Sequence, residues 1–116
     1  MLLNNEKTKN MIFNFTNDYQ FTTRLNLHEK NIEVVNSTKL LGTIISNDLK
    51  WDLNTKEIVR KGNSRMQLLR QVASFGASEE ELKMVYFSFI RSQLEQSSSV
   101  CHSSLTDDNK KEIERV

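Results

Sequence analysis

A chain of 116 residues holds one domain's worth of core and not two independent ones. Charged residues at 27%, the hydrophobic set at 37% and a mean hydropathy of -0.55 exclude a disordered tail or a membrane-spanning protein, and point to a globular chain with a sparse core. Sixteen Lys and Arg against fifteen Asp and Glu leave a formal +1, so bulk charge names no partner and electrostatic binding must come from local clusters.

The single cysteine, Cys101, excludes an internal disulfide and fits a reducing, intracellular compartment. The N-terminus lacks the basic-then-apolar layout of a secretion signal. Proline is absent and glycine occurs three times, so no flexible linker marks a boundary. Patterned sequence runs to both ends, and the chain reads as a piece of a longer protein.

Met11, Phe13 and Phe15 alternate with Ile12 and Asn14, which predicts a first strand after the polar segment Asn4 to Lys9. Phe21, Thr23, Leu25 and Leu27 alternate again. The tetrad His28-Glu29-Lys30-Asn31 then separates them from Ile32 to Val35, the layout of a hairpin with His28 in its turn. After a break at Asn36-Ser37-Thr38, Lys39 to Ser46 is the longest strand candidate. Gly42 interrupts it, which suggests a bulge or a close approach of another backbone.

From Trp51 the spacing turns helical. Ile58, Gly62, Met66, Leu69 and Ala73, with Val59 and Val72 beside them, share one side of a first helix that Phe75-Gly76 closes. Ser78 with Glu81 three residues on is a capping box for a second helix, whose core face is Leu82, Val85, Tyr86, Phe89, Ile90 and Leu94. Gln96 to Ser99 is a polar break, and Thr106 caps a third helix with Asp107 and Asp108 in its first turn. The expected fold class is α+β: a small, mostly antiparallel sheet over 1–50, then a three-helix bundle over 51–116.

Opposite the apolar side of the first helix, a turn of about 100° per residue gathers Lys56, Arg60, Asn63, Gln67, Arg70, Gln71 and Ser74. Lys61 and Arg65 flank the core on the other edge. Two readings stand side by side: a solvated face, or a phosphate-tracking surface whose cations neutralise backbone charge while amides bond sugar and phosphate oxygens. Lys7, Lys9 and Lys39 form a second basic set, which strand pairing would bring together. Trp51 reads as a core anchor sooner than a stacking platform. His28 and His102 have no partners at zinc-binding spacing, Cys101 beside His102 is a poor nucleophile and base pair, and Asp107-Asp108 is helix-start charge. No phosphate-cradling glycine loop is present.

The residues resemble one known family, the reverse transcriptases of non-LTR retrotransposons, in the part of the polymerase after the catalytic aspartates. Leu3-Asn4, Lys7-Thr8-Lys9, Met11 and Phe13 look like its motif D at the palm edge. Lys39-Leu40-Leu41-Gly42 looks like its primer-grip turn, and Asp48-Leu49-Lys50-Trp51 is similar to the segment leading into the thumb. Arg65-Met66, Leu68-Leu69-Arg70, Phe75-Gly76, Phe89-Ile90-Arg91-Ser92 and Leu94-Glu95 fit the thumb helices.

The resemblance implies RNA-templated DNA synthesis for the parent polymerase, with Mg2+ bound outside this chain. It makes Lys7 an auxiliary proton donor to the leaving pyrophosphate, with Lys9 a lesser candidate, and has Lys39, Leu41 and Gly42 hold the primer 3′ end. Lys56, Arg60 and Arg70 would then face the RNA–DNA or DNA template-primer duplex. The partners implied are that duplex and the upstream palm and fingers, and no membrane. The Tyr/Phe-Ala-Asp-Asp strand that holds the metals would precede Met1, so the chain alone is expected not to polymerise. Cys101 stands where the family has tryptophan, and Asn54 where many members have histidine. The alternative is a non-enzymatic nucleic-acid-binding module, or an inert relic or interaction fragment.

Overall fold

The computed structural model describes residues 4, 6–16, 24–27, 30–96 and 98–116. It is an α+β chain of two compact units, Met1–Lys50 and Trp51–Val116. Leu3, Phe21, Thr23, His28 and Glu29, which the sequence reading used, lie outside the described residues.

In the first unit the described strands form three separate two-stranded ladders. β1 (Lys9–Asn10) runs parallel to β4 (Glu33–Val34), β2 (Asn26–Leu27) antiparallel to β3 (Lys30–Asn31), and β5 (Ser37–Leu40) antiparallel to β6 (Thr43–Ser46). Residues 11–16 form no strand. Their alternation finds no buried side, Phe13 and Phe15 both being exposed. The expected four-residue loop is tighter than read, because Lys30 and Asn31 pair with Leu27 and Asn26.

The run from Lys39 to Ser46 is a hairpin rather than one strand. Leu40 pairs with Thr43, and Leu41 and Gly42 between them take φ of 49° and 88°. Positive φ at both central residues is the sign pattern of a type I′ turn, whose twist matches that of the flanking strands. Gly42 is thus a turn residue and not a bulge. Ser46 then leads into a second sharp bend. Its hydroxyl donates to Asp48 Oδ1 (2.5 Å), Asp48 Oδ1 also accepts from Lys50 N (3.0 Å), and Leu49 is turned to a φ of 53°.

The second unit is helical. α1 (Asp52–Ser74) begins directly after Trp51 and ends at Phe75-Gly76, with Gly76 at φ 88° as the left-handed terminator. α2 (Glu79–Val85) has the capping box in full: Glu81 N donates to Ser78 Oγ (3.3 Å), and Ser78 N donates to Glu81 Oε2 (2.8 Å). α2 runs without a break into a π-helical segment, Tyr86–Arg91, and then α3 (Ser92–Leu94). α4 (Ser98–Cys101) and a 3-10 turn (His102–Ser104) occupy part of the expected break, and α5 (Asp107–Glu114) is capped by Thr106.

The core sits where α1 meets the π segment, α3 and α5. Ile90 is wholly enclosed, Ile58 and Cys101 are buried, and so are the polar Asn54, Thr55, Gln93 and Asn109. Asn109 Nδ2 donates to Asp52 Oδ1 (2.9 Å), tying α5 to the start of α1. A Cβ on Gly62 would lie 2.9 Å from Val116 Cγ1 and 3.0 Å from Leu94 Cδ2, so the glycine is what lets these elements close up. The apolar side of α1 is buried only in its first half; Val72, Ala73 and Phe75 are exposed. No helix among the described residues is long and apolar enough to cross a membrane.

Candidate functional site

On α1, every member of the polar stripe faces solvent: Lys56, Arg60, Asn63, Gln67, Arg70, Gln71 and Ser74. A helix of this length holds the side chains in register because its opposite side is anchored through Ile58 and Gly62. The stripe is not uniformly available to a ligand. Arg60 Nε and Nη2 donate to the two oxygens of Glu57 (2.9 and 3.1 Å), and Lys61 Nζ lies 3.5 Å from the same carboxylate. Those contacts, the Arg60 hydrogen bonds first, hold the Glu57 carboxyl down at about 2 and push the Arg60 guanidinium up. Lys56 and Arg70 make no ion pair among the described residues.

Arg65 belongs elsewhere. Its guanidinium lies 4.3 Å over the Phe89 ring and donates to the Phe89 carbonyl, so it fastens α1 to the π segment.

In the strand unit, the β5–β6 tip carries Lys39, Leu41 and Gly42. Leu41 is 91% exposed and sits at positive φ. It costs the fold twice, in left-handed strain and in an apolar side chain left in water. Lys39 is exposed opposite Ile44, while Lys9 pairs with Glu33 across the β1–β4 ladder, their charges 4.0 Å apart. The expected gathering of Lys7, Lys9 and Lys39 by strand pairing does not occur in the described ladders. Lys7 is exposed in a turn in which the Asn4 carbonyl accepts from Lys7 N (3.2 Å) and Thr8 N (3.0 Å).

The helical unit holds a feature that periodicity did not signal. A cavity of about 390 Å³ lies between α1, the π segment, α3 and α5. Asn54 and Cys101 both line it. Burial pushes the Cys101 thiol up, consistent with an inert wall residue. Spacing could not have signalled it, because Tyr86, Ile90 and Leu94, four residues apart, share one side of an ordinary α-helix as well.

Asp107 and Asp108 are exposed at the start of α5, as helix-start charge. Among the described residues no group of three or more His, Cys, Asp or Glu gathers to hold a metal, and no metal-dependent step is assigned to them. Compared with models of protein families, with curated proteins and with solved structures, the chain matches none.

Proposed function

We propose that this chain is the primer-gripping and thumb portion of an RNA-directed DNA polymerase of the non-LTR retrotransposon type, holding template-primer and not catalytic by itself. The observation that carries the reading is Leu41. A solvated hairpin would place Asn or Asp before Gly42; a strained, 91% exposed leucine is retained where it meets something outside the fold. Its neighbours Lys39 and Gly42 would supply charge and close backbone approach to a primer 3′ end. On the helical unit, the exposed side of α1 offers Lys56, Arg70 and, once released from Glu57, Arg60 to the phosphates of an A-form-like duplex, with amides between them. The reading leaves Lys7 as an auxiliary proton donor and Mg2+ with the upstream palm, and sets the protein inside the cell, in nucleus or cytoplasm.

A second reading, a non-catalytic nucleic-acid-binding module, draws on a specific observation. Asn54 and Cys101 alter the lining of the helical core and leave the α1 stripe untouched, which suits a protein that kept binding after losing other constraints.

The test is a comparison of a labelled RNA–DNA hybrid carrying a recessed primer 3′ end with a blunt one. The primer-grip reading predicts tighter binding to the recessed end, and loss of that preference in Leu41→Asn. The same variant gains about 1 kcal/mol of stability as the turn strain is relieved. Equal affinity for the two ends with the stripe still required leaves the second reading; no preference and no stripe dependence removes both.

A further inference from the structure

Lys56, Asn63, Gln67 and Arg70 are exposed on α1, and among the described residues no hydrogen bond or ion pair engages their side chains. At about 100° per residue they fall within a sector about 60° wide, and at about 1.5 Å per residue Lys56 and Arg70 stand about 21 Å apart along the helix, with both amides between them. Their neighbours on the stripe are engaged within the fold. Arg60 is bound to Glu57, and the Ser74 hydroxyl donates to the Gln71 carbonyl (2.6 Å).

The amides differ from the cations in what they can recognise. A phosphate oxygen only accepts hydrogen bonds, and Lys or Arg serves it better than a neutral amide. Asn and Gln side chains donate and accept at once, which matches a hydroxyl, itself both donor and acceptor. Asn63 is also a poor helix former at an exposed mid-helix position, and no side-chain bond within the described fold offsets it. An A-form duplex offers such hydroxyls: its minor groove is wide and shallow and displays the ribose 2′-OH groups.

We propose that Asn63 and Gln67 hydrogen-bond ribose 2′-hydroxyls in the minor groove of the bound duplex, while Lys56 and Arg70 contact phosphates, so that α1 selects duplexes with an RNA strand over duplex DNA. The inference rests on the reading of α1 as a duplex grip, and deepens it by giving the choice of sugar to the amides.

The test measures binding of the full chain to three duplexes of one sequence: an RNA–DNA hybrid, the same hybrid with 2′-fluoro in place of every 2′-hydroxyl, which keeps the A-form geometry, and a DNA duplex. The hybrid should bind tightest. Asn63→Ala and Gln67→Ala, both toward a better helix former, should each weaken the hybrid about fivefold, the size of one net hydrogen bond, and leave the other two duplexes unchanged. The salt slope should stay as in the wild type, since neither variant removes a phosphate contact. Equal wild-type binding to the native and 2′-fluoro hybrids, variants that bind the hybrid as well as wild type, or variants that weaken all three duplexes alike would overturn the proposal and leave a grip on shape and phosphate alone. Binding to none of the three at low salt would remove that grip, and this inference with it.

Discussion

Glu57 is the residue on which the electrostatics of α1 turn. It is the one acid between Lys56 and Arg70, half-buried beneath two cations, and it occupies the guanidinium that the stripe would otherwise present. Its folded carboxyl ionises at about 2 against an ordinary 4.5, a depressed value. The pair's contribution to stability is therefore complete above pH 4.5 and is lost as pH falls through 2, so nothing in the physiological range frees Arg60 by protonation. Substitution does. Glu57→Gln is expected to steepen the salt dependence of hybrid binding by about one phosphate contact, a slope change of about 0.7–0.9, with the acid limb of the unfolding curve shifted upward. An unchanged slope in a folded variant would remove Arg60 from the interface.

At the scale of elements, α1 is held by a close contact rather than by a broad apolar side. Gly62→Val forces a β-branched side chain against Val116 and Leu94, and a loss of about 1–3 kcal/mol is expected in urea unfolding. Stability equal to the wild type would show that Val116 moves aside freely.

Elements set by local chemistry were the legible ones. The Ser78–Glu81 box, the Gly76 terminator and the Thr106 cap each depend on residues within one turn, and each was read from sequence. The β5–β6 turn was not, because the position that ordinarily signals it with Asn is Leu41. Nor was the parallel β1–β4 ladder, which joins residues more than twenty positions apart and leaves no local mark. Asn54 and Thr55 were missed as core because polar residues count as surface until their neighbours are known. Within the candidate site, the exposed stripe of α1 followed directly from 3.6-residue periodicity, while the Glu57 clamp on Arg60 needed geometry.

For the whole molecule, the core is slight. Only Ile58, Ile90 and Cys101 are buried apolar residues among those described, while Leu41, Phe75, Phe15 and Met84 stand well exposed. Two-residue ladders have little stability of their own, and a lone hairpin is marginal in water. Amide exchange should divide accordingly: slow in α1 from Ile58 to Met66 and through Ile90, intermediate in β5 and β6, and close to unprotected rates in β1 to β4. Protection in β1 and β4 equal to that of α1 would show a cooperative strand unit that the short ladders do not explain.

The central claim is that the exposed side of α1 grips a nucleic-acid duplex, and it is tested most directly by a salt series. Binding of the purified chain to a labelled RNA–DNA hybrid should weaken with a log-log slope of about −1.4 to −1.8, the count expected from Lys56 and Arg70 while Glu57 holds Arg60. The same chain with Lys56→Glu, Arg60→Glu and Arg70→Glu should lose binding while keeping its helical circular dichroism. A folded wild-type chain that binds no hybrid at low salt, or a triple variant that binds as well as wild type, would contradict the account.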